Sequence, residues 1–368
     1  MFKKPLKHYE QYVDKYFLRA KTVLEKEHLD PTVLAQVFIR RGNCKVYGIG
    51  EALQFMRNYL DFTKDGKIWT ACEGKMIDNC GTVMLIEAPI QSIIALETIY
   101  LGLISAETTL RNKEEDIDLK SIQENMSKIK DLVKDRPVSY FGARHWRYDR
   151  DYEIALAAKK GGATNCSTDA GAKAWGDKCK GIGTIPHVLE TIYHFTSGIE
   201  KAVLESTKAF DEHMPMDIPR TALVDYSNRE LIDTILIQNK LRHRLDGIRI
   251  DTCGENVMEG AWGAYIPSKP YWFGTGVTVS GVYNIAKARE RLNHKYKIIL
   301  SSGFGNIEKV KAFVEAEKEL GIKLFDGLGV GGLYKSRMAT MDVVRVSDQK
   351  ISKTGRGLLQ NKGLRRVF

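Results

Sequence analysis

No CxxC pair occurs anywhere in the 368 residues, and the six cysteines (Cys44, Cys72, Cys80, Cys166, Cys179 and Cys253) are scattered singly. That spacing supports neither a zinc knuckle nor a disulfide framework, and the six read as reduced thiols. No run of eighteen apolar residues is present, so no segment reads as a membrane span. The start, MFKKPLKHYEQYVDKYF, has no apolar stretch of the kind a secretory signal carries, and a cytoplasmic location is expected. The formal charge of +10 comes without a zinc finger or an aromatic-interleaved basic stripe, so nucleic acid is not expected as a partner. Much of that charge sits in MFKKPLKHY and KTGRGLLQNKGLRRVF at the two ends, which read as solvated tails.

What is present is globular. The hydrophobic fraction of 43% and charged fraction of 28% are ordinary, and the length suits one large unit with an appended domain. The expected division is an N-terminal α/β part over 1–136, an α/β barrel over 137–347, and a basic tail over 348–368 that packs on the first part. Residues 1–28 read as one amphipathic helix, with Tyr12, Tyr16, Val23 and Leu24 on a shared face. Asp30-Pro31 reads as an N-cap and first helical residue. Short strands follow (KVYGIG, KIWTACEG, TVMLIEAP), then a strongly apolar helical stretch over 90–111 and a charged surface helix ending near Pro137.

Beyond Pro137 the pattern alternates strand and helix. VSYFGARH, TALVDYS, GIRIDT, YKIILSSG, KLFDGLGVG and MDVVRVS (341–347) are short, apolar and β-branched, as strands covered on both faces are. Six such units with polar residues at one end favour a βα barrel, whose chemistry sits at the carboxyl ends of its strands. Those ends carry Arg144 and His145, Asp225, Arg249 and Asp251, Ser301 to Gly303, and Asp326 to Gly332. No lysine stands at any of them, which argues against a Schiff-base aldolase.

Two glycine-rich turns, SSGFGN (301–306) and GLGVGG (327–332), follow the last two of these barrel ends, where barrels often hold phosphate. Ser301, Ser302, Gly303, Gly329 and Gly331 are the candidate phosphate contacts. GIGTIPH (181–187) offers the Thr184 hydroxyl and free amides, with Pro186 starting a helix and leaving His187 in its first turn.

With ACEGKMIDNCGTVMLIEAPIQSIIALET, FGARH, GGATNCST, GTIPH, VDYSNRE, GIRIDT, SSGFGN and GLGVGG in this order over residues 70–335, the chain resembles the nicotinate phosphoribosyltransferases, closest to the compact archaeal and bacterial type. The resemblance implies a fold of the α/β class: an irregular, TIM-like βα barrel of the type II phosphoribosyltransferases with an N-terminal α/β open sandwich. It also implies a homodimer with active sites shared between subunits. The implied reaction joins nicotinate to phosphoribosyl pyrophosphate, releasing pyrophosphate and nicotinate mononucleotide, with Mg²⁺ and with ATP as a cosubstrate. By motif position Arg144 and His145 line the base and pyrophosphate pocket, and His187 matches a histidine phosphorylated by ATP. Asp225 and Asp251 match acids on the ribose and metal side. Arg249 joins the substrate contacts, and Arg40 and Arg41 are expected to reach a neighbouring subunit's site. Departures from the pattern are SSGFG in place of a two-glycine SGG turn, Gly-Gly-Leu closing the second loop, and Tyr226 where threonine is common. Quinolinate as the base would call for more cations and lacks a GTxxH-like segment, nicotinamide is a further alternative, and a non-catalytic nucleic-acid or metabolite-binding relative is the reading from another class.

Overall fold

A computed structural model describes residues 5–60, 66–263 and 266–368 of the chain. The first strands are β1 (Thr32–Ile39), β2 (Cys44–Lys45), β3 (Lys67–Thr70), β4 (Met76–Ile77) and β5 (Thr82–Pro89). The middle of the chain contributes β6 (Val138–Tyr140), β7 (Asn165–Cys166), β8 (Thr221–Leu223) and β9 (Gly247–Ile250). The last are β10 (Lys297–Leu300), β11 (Gly327–Val330), β12 (Ala339–Val346) and β13 (Arg365–Arg366).

Six of them form a parallel sheet in the order β7-β6-β11-β10-β9-β8. The chain lays down β6 and β7, restarts at the far edge with β8, and runs back through β9 and β10 until β11 pairs with β6. Edge strands β7 and β8 share no ladder, so the sheet is a curled half-barrel. All six strands point the same way, which puts their carboxyl ends on one rim. β8, β9 and β11 are buried at every position, as the continuous apolar runs predict, under helices such as Glu230–Leu241, Val279–Arg291 and Ile307–Leu320.

The second sheet is antiparallel, in the order β12-β1-β5-β3-β13. Here three expectations give way. MDVVRVS is not a barrel strand: β12 pairs antiparallel with β1, Val37 opposite Met341, so the barrel's last strand is β11. Its burial alternates along the strand, the mark of a sheet with one wetter face. Pro31 does not open a helix, because the β-branched, alternating TVLAQVFI that follows forms β1. Asp30 does cap a helix, but one remote in sequence: its Oδ1 accepts from the Gln91 amide at 2.9 Å, at the start of Ile90–Ile93. Of the two readings of the C-terminal segment, solvated or packed on the first part, the solvated one gives way. Leu359 N donates to Gln36 Oε1 at 2.6 Å, Asn361 Nδ2 donates to the Thr82 carbonyl at 2.7 Å, and β13 pairs with β3.

The leading helix is also interrupted. A single turn at Tyr9–Tyr12 is followed by extended Val13 and then the helix Lys15–Lys26; the first four residues of the expected helix lie outside the described residues. Asp14, at the break, donates its amide to Thr98 Oγ1 at 3.0 Å. By length and composition Ile90–Arg111 could cross a membrane, yet 89% of its apolar window is buried in the fold. Side chains such as Ile99, Leu101 and Leu103 are fully enclosed there, each stabilising the fold by about 1.5–3 kcal/mol. It is a core helix, packed against β12 and the turn at Ala143–His145.

Candidate active site

A cavity of about 360 Å³ opens where the carboxyl rim of the half-barrel meets the antiparallel sheet. Each wall follows from the local chain. After β6 the chain turns at once, and Phe141, Arg144 and His145 face the opening. Nδ1 of His145 lies 3.0 Å from the Gly331 carbonyl, so it carries the hydrogen and donates. Burial, reinforced by Arg144, lowers this imidazole to about 4 and keeps it neutral. Arg144 Nη1 donates to Glu97 Oε1 at 3.0 Å. Burial works against the guanidinium's charge, but Tyr16, Glu97 and Asp14 outweigh it and hold the group above its usual range.

Arg249 stands within β9 and Asp251 just after it, with Nη2 and Oδ2 3.5 Å apart. This is a loose contact, and Arg249 Nε has no partner although the residue is buried. Asp251 Oδ1 accepts from Ser301 Oγ at 2.6 Å. Beyond β10, Ser302 and Gly303 both take left-handed backbone, φ 65° and 86°, and among the described residues their amides have no hydrogen-bond acceptor. The next helix is already capped: Asn306 Oδ1 accepts from Glu308 and Lys309, so free donors for an anion belong to the turn, not the helix end. Lys309 braces that turn through Nζ to the Ser302 carbonyl, 3.0 Å.

Two glycines expected as phosphate contacts, Gly329 and Gly331, also have a steric role. A Cβ on Gly329 would stand 2.6 Å from the Phe141 ring, and one on Gly331 would stand 2.8 Å from His145 Cε1. They line the cavity and make room for two other lining side chains. Asp326 is not on the rim at all: it precedes β11 and binds Arg289 and the Ile298 amide at the opposite end.

His187 begins the helix His187–Ser197. Its Nε2 lies 3.0 Å from Asp225 Oδ1, and the other carboxylate oxygen accepts from Lys353. Asp225 is wholly buried and does not line the cavity. Burial would raise its pKa, yet Lys353 and His187 together hold the carboxyl far below its usual range. Burial and then Lys353 lower His187.

Among the residues singled out from sequence, His187, Arg144, His145, Arg249, Asp251, Arg40, Ser301, Ser302, Gly303, Gly329 and Gly331 line this one cavity. Three do not. Asp225 sits behind His187. The Thr184 hydroxyl turns to the Ile185 carbonyl and is buried. Arg41 is exposed, its carbonyl accepting from Arg337. Arg40, expected to cross to a neighbouring subunit, lines the cavity of its own chain, with Nε on Thr340 Oγ1 at 3.1 Å.

Sequence reasoning missed Asp14, Tyr16, Ser167, Asp342, Lys353 and Arg356, which also line the space. Asp14 and Tyr16 arrive because the N-terminal helix breaks at Asp14. Gly183 permits the approach: a Cβ there would stand 2.7 Å from the Tyr16 amide nitrogen. A signal was available, since Asp14 interrupts an otherwise amphipathic run with a side chain suited to a cap. Lys353 and Arg356 gave no such signal.

Mg²⁺ is expected on the side of Asp225 and Asp251. Among the described residues no three His, Cys, Asp or Glu side chains cluster as metal ligands. Asp225 offers nothing, because both its oxygens are engaged by His187 and Lys353. The residues do not fit a metal held by the protein alone.

No protein-family model matches the chain, and no curated protein sequence does. Among solved structures the fold recurs clearly. The chain shares its fold with solved structures that carry the name nicotinate phosphoribosyltransferase. A structure from Saccharomyces cerevisiae described as a candidate nicotinate phosphoribosyltransferase aligns over 96% of this chain and 94% of its own, with a TM-score of 0.67 and 14% identity. Nicotinate phosphoribosyltransferase from Vibrio cholerae aligns over 93% of this chain and 87% of its own, with a TM-score of 0.63 and 12% identity. The Porphyromonas gingivalis enzyme of the same name covers 93% and 92%, with a TM-score of 0.61 and 12% identity. At such identities the likeness establishes the fold.

Proposed function

We propose that the chain is a cytoplasmic nicotinate phosphoribosyltransferase, coupled to ATP and working as a homodimer. One observation carries the reading: the free amides of Ser302 and Gly303, the guanidinium groups of Arg40, Arg144 and Arg249, the Asp251 carboxylate and the aromatic faces of Tyr16 and Phe141 surround a single cavity. A phosphorylated sugar with a pyrophosphate and a flat carboxylated ring calls for this set. Amides and guanidinium groups bind phosphate and carboxylate, and rings pack on rings.

In the proposed reaction the pyridine nitrogen forms a bond to C1 of the ribose while the C1–oxygen bond to pyrophosphate breaks, the electron pair leaving with pyrophosphate. No protein nucleophile is needed for that step. The Ser302–Gly303 turn holds the 5′-phosphate, and Asp251 faces the ribose, where a carboxylate favours the developing positive charge. Arg144 remains charged beside its Glu97 partner, with guanidinium nitrogens left for the leaving group or the base carboxylate. Holding both partners in line supplies much of the acceleration. For the ATP step, His187 is the acceptor: among the described residues its Nδ1 has no partner, and transfer joins Nδ1 to the γ-phosphorus as the bond to ADP breaks. A Mg²⁺ accompanies the pyrophosphate as part of the substrate in this reading.

The test is purified protein with phosphoribosyl pyrophosphate, Mg²⁺ and each of nicotinate, nicotinamide and quinolinate, with and without ATP. Nicotinate mononucleotide and pyrophosphate should appear in equal amounts, faster with ATP. Product from quinolinate alone, or none from any base, overturns the reading.

A further inference from the structure

The C-terminal segment carries a lysine into the heart of the cavity, and nothing in the proposed reaction has yet used it. After β12 the chain turns back toward the half-barrel rim. Thr354 N donates to the Tyr226 carbonyl at 3.0 Å, and Asn256 Nδ2 donates to the Thr354 carbonyl at 2.8 Å. Gly355, at φ 79°, passes so close to Asn256 that a Cβ would stand 2.0 Å from Oδ1. Arg356 reaches back to Asp342 at 3.4 Å and Gln36 Nε2 donates to the Gly357 carbonyl at 3.2 Å. Rim loops and the antiparallel sheet therefore hold the strap immediately after Lys353, which is buried with Nζ on Asp225 Oδ2 and 3.1 Å from His187 Nε2.

We propose that Lys353 is a positioning residue: by fixing Asp225 as a carboxylate it obliges His187 to carry its hydrogen on Nε2, leaving Nδ1 bare for the phosphoryl group. Two arrangements are conceivable at Nε2. If Lys353 donated to a bare Nε2, that lone pair would also face the anionic Asp225 Oδ1 at 3.0 Å, with no hydrogen between them. Buried without water, such a contact is strongly repulsive. If Nε2 carries the hydrogen, it donates to Oδ1, Lys353 donates to Oδ2, and every charge is matched. The second arrangement prevails.

Lys353 also keeps the imidazole from becoming a cation. A carboxylate buried as fully as Asp225 needs one positive partner. Lys353 supplies it, so His187 need not be protonated. The other titratable groups near His187 are Asp251, which favours the imidazolium, and Glu190, wholly buried on the helix that His187 begins. Burial raises Glu190 well above the usual carboxyl range, so it stays neutral and adds no charge.

The imidazole half of this inference stands without the proposed function; the kinetic half rests on it. Histidine-labelled protein examined by nitrogen NMR should show His187 neutral and Nε2-protonated near pH 7. In Lys353→Met, Asp225 recruits His187 as its cation, and the imidazolium should persist to a proton concentration at least about tenfold lower than in the parent. The ATP-coupled kcat should fall about a hundredfold with KM for nicotinate unchanged, while Lys353→Arg, which keeps the charge, retains the Nε2–H form. An Nδ1–H form in the parent, or an unchanged His187 in Lys353→Met, overturns the proposal. Should Lys353→Met fail to fold, Lys353→Gln, which also removes the charge, takes its place in the same spectra. If the imidazole behaves as stated but no mononucleotide forms with any base, the functional reading fails and the positioning role stands.

Discussion

Gly331 and His145 meet at the mouth of the cavity, the glycine carbonyl accepting from the imidazole Nδ1 at 3.0 Å while the missing Cβ leaves space for the ring. Gly331→Ala would force the two apart, since the new methyl would lie 2.8 Å from Cε1. Overpacking of this kind costs about 1–3 kcal/mol of stability. Turnover should suffer more, about a hundredfold, because a displaced lining side chain misaligns the substrate. Steady-state kinetics and a thermal melt separate the two effects.

Arg144→Ala should lower kcat/KM by at least about a hundredfold, the scale for removing one positioned charged group. Stability should change less than for a usual broken buried pair. Burial pushes the partner Glu97 up to about 8 despite Arg144, so the abandoned carboxyl can stay protonated. Near-normal kcat/KM in this variant removes Arg144 from the mechanism.

Incubation with labelled ATP should leave acid-labile phosphate on the protein, and His187→Gln should carry none. Asp225→Asn should also lose most of the label, because an amide cannot hold the Nε2–H form as a carboxylate does. Label surviving in His187→Gln places the phosphate on another residue.

Glu230 yields a pH test independent of the active chemistry. Burial raises this carboxyl from 4.5 to about 7, and it accepts from Thr252 Oγ1 and the Glu259 amide. A raised carboxyl pKa means the folded state keeps a proton that the unfolded chain has lost. The resulting stability is complete below about pH 4.5 and disappears as the pH climbs to about 7. Glu230→Gln has no such dependence. Its melting temperature relative to the parent should rise steadily over that window, and a constant difference would show that Glu230 titrates normally.

The rim was legible because six parallel strands must expose their carboxyl ends together, and each run of buried β-branched residues stops at a polar or glycine residue. Arg144, Arg249, Asp251 and Ser302 could be found from that alternation alone. β12 could not be assigned correctly by the same logic, because a short apolar run does not announce which sheet receives it. Lys353 was invisible for a stronger reason. It lies in a stretch rich in lysine and arginine that reads as solvated, and its partner Asp225 is 128 positions away. Composition records the charge of such a stretch but not the contact that desolvates it. Asp14 and Tyr16 fall between these cases: the break in their helix was readable, its destination was not.

If side chains from both sheets enclose a phosphorylated sugar in one cavity, a crystal structure with phosphoribosyl pyrophosphate will show the sugar there. The 5′-phosphate should lie on the amides of Ser302 and Gly303, the ribose beside Asp251, and the pyrophosphate among the guanidinium groups of Arg40, Arg144 and Arg249. A cavity left empty at saturating ligand, or the sugar bound on another face of the molecule, would contradict that enclosure.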